Sequence, residues 1–197
     1  MSVACTLFAV VFSIGGCGQA VKIPKADAEK IAQMAIELYD LDKDGAIGGK
    51  ELEAAASVAS AIVELDSDGD GKVVADDISY AVNSWNESGT QVGMANCIVT
   101  KSGKPLKGAT VTFEPEPFHE GTLGTVSGVC GSDGSVKLVC DELAATGLEG
   151  IPTGFYKVRI THQVGGKESI PAKYNTETTL GQAISPNQRS TNIDFRL

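Results

Sequence analysis

The sequence predicts two domains of different class, an all-α module followed by an all-β sandwich, and three observations predict it. Up to Trp85, apolar residues recur at the i, i+3, i+4, i+7 spacing of a helix face. Two acidic Asp-Gly loops interrupt that periodicity. From Gln91 onward the helical period stops, and short β-branched runs alternate with Gly/Pro turns.

The first twenty residues stand apart. Val3 to Ile14 is apolar except for Thr6 and Ser13, and ends in Ile14-Gly15-Gly16-Cys17. A stretch this short suits a secretory signal better than a membrane-spanning helix. Small residues directly before a cysteine resemble a bacterial lipoprotein signal, which implies cleavage before Cys17 and a lipid on its thiol. The departure is that Met1-Ser2-Val3-Ala4 carries no Lys or Arg. Residues 1–16 are then a signal peptide and 17–24 a lipidated linker, which places the protein at the cell envelope, exported and membrane-anchored.

Residues 25–87 form the helical module. Its first loop runs Asp40-Leu41-Asp42-Lys43-Asp44-Gly45-Ala46-Ile47-Gly48-Gly49-Lys50-Glu51. The second runs Asp66-Ser67-Asp68-Gly69-Asp70-Gly71-Lys72-Val73-Val74-Ala75-Asp76-Asp77. Each places Asp at positions 1, 3 and 5, Gly at 6, an aliphatic at 8 and a carboxylate at 12. Three short carboxylates reach a hard cation from one side, Gly takes the bend, and the position-7 carbonyl (Ala46 or Lys72) closes the far side with the last acid. An all-oxygen set without nitrogen or sulfur disfavours a transition metal.

The flanks carry the same message. Ala32, Ala35, Ile36 and Tyr39 precede the first loop, and Leu52, Ala55, Ala56 and Ala59 follow it. Val58, Ala61, Ile62 and Leu65 precede the second, and Ile78, Ala81, Val82 and Trp85 follow it. Loops and flanks together resemble an EF-hand calcium-binding pair. The resemblance implies Ca²⁺ held by Asp40, Asp42, Asp44, Ala46 and Glu51 in one loop. In the other it implies Asp66, Asp68, Asp70, Lys72 and Asp77. Asp77 is one methylene shorter than Glu51, which favours a weaker calcium site or a smaller ion that keeps more water.

Only fourteen residues, 52–65, separate the loops, and they contain neither Gly nor Pro. This predicts one helix serving both loops and holding them roughly 20 Å apart. Ile47 and Val73 then cannot form the strand bridge of a conventional pair; a break near Ser57–Ser60 is the alternative. The expected calcium affinity is in the ~10⁻⁴–10⁻³ M range of extracellular modules. Residues 37–77 carry twelve Asp/Glu and three Lys, so the module accounts for the whole formal charge of −9. With no basic stripe to track a phosphate backbone, nucleic acid is excluded as a partner. The crowded carboxylates predict a module ordered by metal, beside a sandwich that is indifferent to it.

Residues 88–93 lie in a hinge region, Asn83–Gly93, and 94–197 form the sandwich. Its expected strands are Ala95–Thr100, Ala109–Glu114, Gly124–Cys130, Val136–Cys140, Gly154–Thr161 and Asn192–Leu197. Tyr156, Val158 and Ile160 alternate with Lys157, Arg159 and Thr161, so one face of that strand is buried. Three pieces carry a second resemblance: Ile98-Val99-Thr100 followed by Gly103-Lys104-Pro105-Leu106-Lys107-Gly108-Ala109-Thr110-Val111; Gly131-Ser132-Asp133-Gly134; and Gly150-Ile151-Pro152-Thr153-Gly154-Phe155-Tyr156-Lys157-Val158. They resemble the carboxypeptidase regulatory-like, or transthyretin-like, domains. That implies a seven-stranded, mostly non-enzymatic sandwich attached to exported proteins.

Cys97, Cys130 and Cys140 remain after the signal. Cys130 and Cys140 flank the Asp133-Gly134 turn, but a two-residue loop there puts them on opposite faces of the ribbon, and a three-residue loop puts them on one face about four residues out of register, too far for a bridge. Buried thiols are the expectation, with Cys97 the partner if a bridge forms.

No catalytic constellation is legible. His162 reads as a surface residue at a strand end. His119, in Glu114-Pro115-Glu116-Pro117-Phe118-His119-Glu120, reads as part of a polar loop stiffened by prolines. Trp85 reads as core. The expected function is a non-enzymatic calcium-binding lipoprotein whose sandwich binds or spaces at the envelope, with an envelope protein or glycan as partner. The alternative is a calcium-dependent adaptor docking a partner through the module's helices, and a small envelope hydrolase is a weaker third.

Overall fold

The computed structural model describes residues 25–89, 91–186 and 191–197. The expected signal and the Cys17 lipid site lie outside them. The chain is mixed α and β with a sheet-rich body, and no helix of the described residues is long and apolar enough to cross a membrane.

Helix α1 (Ala28–Tyr39) is N-capped by Asp27, whose carboxylate accepts from the Lys30 amide at 3.1 Å. It buries Ile31, Ala32, Ala35 and Tyr39. The first acidic loop follows and contains the short strand β1 (Ala46–Gly48). Three one-turn helices come next, α2 (Glu51–Ala54), α3 (Ala56–Ala59) and α4 (Ile62–Leu65). The second loop carries β2 (Lys72–Val74) and leads into α5 (Ala75–Glu87), which buries Ile78, Ala81, Val82 and Trp85.

The expectation of one continuous helix between the loops is corrected. The segment breaks at Ala55 (φ −90°, ψ 50°) and again at Ala61 (φ −108°, ψ 10°). Ser60 Oγ turns back to the Ser57 carbonyl at 2.7 Å. The break lets β1 and β2 pair antiparallel with Ile47 opposite Val73, the bridge that a straight helix forbids. Both side chains are fully buried. Each such burial is worth ~1.5–3 kcal/mol, so the two together offset the few intrahelical hydrogen bonds, ~0.5–1.5 kcal/mol each, given up at the breaks.

The body begins with β3 (Val92–Gly93), β4 (Ala95–Lys101), β5 (Lys104–Pro105) and β6 (Thr110–Pro115). A 3₁₀ turn at Pro117–His119 precedes β7 (Val126–Val129), β8 (Ser135–Val136) and β9 (Val139–Cys140). After α6 (Asp141–Ala144) come β10 (Ile151–Pro152), β11 (Gly154–Thr161), the β12 (Gln163–Val164) and β13 (Lys167–Glu168) ribbon, β14 (Leu180–Ile184) and β15 (Thr191–Arg196). One sheet has the order β14-β11-β6-β7-β9. The other joins β15, β4 and β5, with β8 also on β4, and β15 runs parallel to β4. The seven-stranded all-β reading is thus corrected to sheets of five and four strands with added ribbons and a helical turn. The strand at Leu180–Ile184 is absent from the sequence reading, and Val136–Cys140 is divided between two sheets.

The inner core lies between the sheets: Cys97, Val99, Ile193 and Phe195 face Val111, Phe113, Val126, Tyr156, Val158 and Ile160. Strand β11 serves two cores because its side chains alternate. Tyr156, Val158 and Ile160 point inward as expected. Phe155, on the opposite face, is also fully buried, because the helical module covers it. Trp85, Phe118, Phe155 and Ala183 share one cluster with the helices, with the Trp85 and Phe155 rings 5.2 Å apart. The region expected as a hinge is occupied differently. Residues 83–87 complete α5, and β3 pairs with β10 while the Thr153 amide donates to the Gln91 carbonyl.

Cys97, Cys130 and Cys140 are free and buried. Cys140 sits opposite Val126, four positions before Cys130 on the same strand run, which is the register mismatch that keeps the two sulfurs apart.

Candidate metal-binding loops

Each loop is built from carboxylates that accept backbone N–H groups of the same turn. In the first, Asp40 accepts from the amides of Lys43 (2.6 Å), Asp44 (3.2 Å) and Gly45 (2.9 Å). Asp42 accepts from Asp44 at 3.1 Å, and Asp44 from Ala46 at 3.0 Å. The second repeats the scheme: Asp66 accepts from Gly69 (2.7 Å), Asp70 (3.2 Å) and Gly71 (2.9 Å), Asp68 from Asp70 (3.3 Å), and Asp70 from Lys72 (2.8 Å). Gly45 and Gly71 adopt φ of +90° and +80°, the left-handed bend that position 6 requires.

The loops differ at their last acid. Glu51 accepts from Gly48 at 3.0 Å and also crosses the loop to the amides of Leu41 (2.7 Å) and Asp42 (3.2 Å). Asp77 accepts from Val74 at 2.9 Å, the equivalent of the Gly48 bond. Accordingly, Asp40, Asp42 and Glu51 bring carboxylate oxygens within 4.8 Å of one another, whereas the matching group in the second loop is Asp66, Asp68 and Asp70 without Asp77. The methylene that separates Glu from Asp accounts for this.

Asp44 points elsewhere. Its carboxylate pairs with Lys72 Nζ of the other loop at 2.5 Å, and the Lys72 stem crosses Gly48 in the space a Cβ there would need. The Lys72 ammonium and the Ala46 amide hold the Asp44 carboxyl below its usual range. The Gly48 and Leu41 amides do the same for Glu51, and the Gly71 amide leads the same effect at Asp66. Ala46 and Lys72, expected to offer carbonyls, each begin a strand of the β1–β2 pair, opposite Val74 and Gly48. The carboxylates converge on two small volumes, a donor set that fits a hard cation at Asp40, Asp42 and Glu51 and at Asp66, Asp68 and Asp70.

The Glu114–Glu120 segment, expected as a polar loop, is instead an internal seam. Phe118 and His119 are buried, and so is Glu116. The Glu116 carboxylate accepts from Tyr39 OH at 2.8 Å and from Ser57 Oγ at 2.7 Å. His119 Nε2 accepts from the Phe155 amide at 2.9 Å, so Nδ1 carries the proton, and it is buried with no acceptor among the described residues. His162, by contrast, contacts Ser169 Oγ at 2.9 Å near the surface. These internal positions were missed because burial of Glu and His depends on partners far along the chain; the prolines on either side were the only local sign of a constrained turn.

No family model matches the chain, nor does any curated protein. Among solved structures the chain is similar to the major pilin subunit BcpA of Bacillus cereus, at 16% identity and a TM-score of 0.34 over 54% of this chain. The chain spans under a third of that protein's length, 30%.

Proposed function

We propose that the chain is a non-enzymatic, exported calcium-binding lipoprotein, with an EF-hand-type pair of loops docked on a carboxypeptidase-regulatory-like sandwich that binds or spaces at the cell envelope. The observation that carries the reading is the hydrogen-bond scheme that the two loops share from position 1 to position 7, joined through Ile47 and Val73. Asp40, Asp42 and Glu51 would hold the first ion, and Asp66, Asp68 and Asp70 the second, with the Ala46 and Lys72 carbonyls completing the sets; Asp44, paired with Lys72, and Asp77, on the Val74 amide, would join by leaving those partners. The ion supplies the positive charge that lets these acids sit together. The chain's own part is to fix their spacing through backbone amides. The strand pairing removes one reason for weak binding, and the short Asp77 remains the other. Anchoring rests on the apolar run before Cys17.

The spacer reading is favoured over the adaptor reading by where the helices put their apolar face. Ile78, Val82 and Trp85 belong to one buried cluster with Phe118, Phe155 and Ala183, so that face is already occupied. Calorimetry on the full chain in mild detergent tests the metal reading. Calcium at up to millimolar concentration should give binding heat, and Glu51→Gln should abolish the part from the first loop. Absence of heat in the unsubstituted chain would overturn the proposal.

A further inference from the structure

We propose that Glu116 is a positioning residue that ties the helix entering the first loop and the linker leaving it to the sandwich, so that ordering of that loop by an ion is passed to the sheet. This rests on the calcium reading above. Glu116 extends the end of β6, where its amide donates to the Phe155 carbonyl at 2.9 Å. Flanked by Pro115 and Pro117, it is held extended (φ −59°, ψ 147°). Its side chain leaves the sheet and enters the module, only 2% exposed.

A buried carboxylate is costly unless each oxygen is paired. Here the pairing comes from the two sides of one loop. Oε2 accepts from Tyr39, the last residue of α1, directly before the ligand Asp40. Oε1 accepts from Ser57 in α3, which continues the chain leaving Glu51. Lys157 Nζ stands 3.7 Å from Oε2 and 5.9 Å from the centre of the Tyr39 ring, adding a positive charge from the neighbouring strand. Hydrogen bonds to a charged acceptor are short and directional. A change in angle between α1 and α3 must therefore stretch one of the two, or move the carboxylate and the sheet end that carries it.

The same linker meets the sheet at a second point. The Ala183 amide donates to Ser60 Oγ at 2.7 Å, and a Cβ at Gly181 would lie 2.2 Å from the Ser57 nitrogen. The end of α1 and the linker at Ser57–Ser60 thus touch the sheet at two points, the end of β6 and β14. A sandwich coupled to the metal is thus proposed in place of the indifferent one expected from the sequence.

Hydrogen exchange on the full chain in detergent, with chelator and with millimolar calcium, tests this beside the calorimetry. Calcium should slow exchange by about tenfold in residues 28–65 and also in 113–118 and 180–185. In Glu116→Gln the gain in 28–65 should persist while that in 113–118 falls below about twofold, and 180–185, which keeps its own contacts with Ser57 and Ser60, should hold its gain. Tyr39→Phe, which keeps the ring and removes one hydroxyl, should weaken the same gain in 113–118 and serves if Glu116→Gln does not fold. Calcium heat with protection confined to 28–87 in the unsubstituted chain overturns the coupling and leaves the metal reading standing. No heat and no change in exchange overturns both.

Discussion

His119 should make the protein lose stability as pH falls from 6.5 toward 4, a loss that begins before the carboxylates protonate. The imidazole is 3% exposed, and burial pushes it from its ordinary 6.5 down to about 4. A proton has nowhere to go without cost: Nδ1 already carries one, and Nε2 is spent accepting from the Phe155 amide. The folded state therefore binds fewer protons than the unfolded state in that window. A depressed value means the contribution is complete above 6.5 and is lost as pH falls through the folded value. The slope is ~1.4 kcal/mol per pH unit, and the total is about 3 kcal/mol. Urea unfolding followed by the single tryptophan, Trp85, at a series of pH values in chelator measures it. His119→Gln keeps an acceptor near the Phe155 amide but does not titrate, so its stability should stay flat down to about pH 4.5, where the carboxylates begin to protonate. Unsubstituted and His119→Gln proteins falling in parallel across the window would refute the assignment.

Gly181→Ala should cost about 2 kcal/mol, because the new Cβ meets the Ser57 nitrogen and the Ala56 carbonyl carbon, both backbone atoms that cannot swing away. The urea midpoint checks it, and a midpoint unchanged from the unsubstituted chain would show that the linker shifts freely. Cys17→Ser should move the protein from the membrane fraction to the soluble one, since one short apolar run anchors poorly. Unchanged fractionation would remove the support for a lipid at that thiol.

The parts of the fold legible in the sequence are those set by local period and local chemistry. The helix stripes around Ala35, Leu65 and Trp85 follow from 3.6-residue spacing, and none of their sixteen positions is exposed. Strand β11 falls on Gly154–Thr161 as expected because its alternation is strict. The carboxylate groups are legible because Asp at every second position has one common use beside a left-handed glycine. What was illegible depends on distance. The breaks at Ala55 and Ala61 oppose the high helix propensity of an Ala-rich segment, and are stabilised by Ile47 meeting Val73 and by the sheet pressing at Gly181. Glu116 looks like a surface acid until Tyr39 and Ser57, 77 and 59 residues away in sequence, are brought to it. Leu180–Ile184 carries Gly and Gln in place of a β-branched run, and β11 recruits it as a sheet edge through backbone pairing. Asp77 could be suspected from its length alone, and the structure places it on the Val74 amide, apart from the Asp66, Asp68 and Asp70 group.

Whether each loop closes around an ion, as proposed, is read from amide spectra, loop by loop. Gly45 and Gly71 donate to the second oxygens of Asp40 and Asp66, both at 2.9 Å. An ion on those carboxylates would tighten and polarise the two hydrogen bonds. In ¹H–¹⁵N spectra of the labelled protein, the Gly45 and Gly71 amide protons should move downfield together as calcium is added to millimolar concentration, and return when it is chelated. Two glycine resonances that stay in place across that titration would contradict the claim that these loops bind calcium.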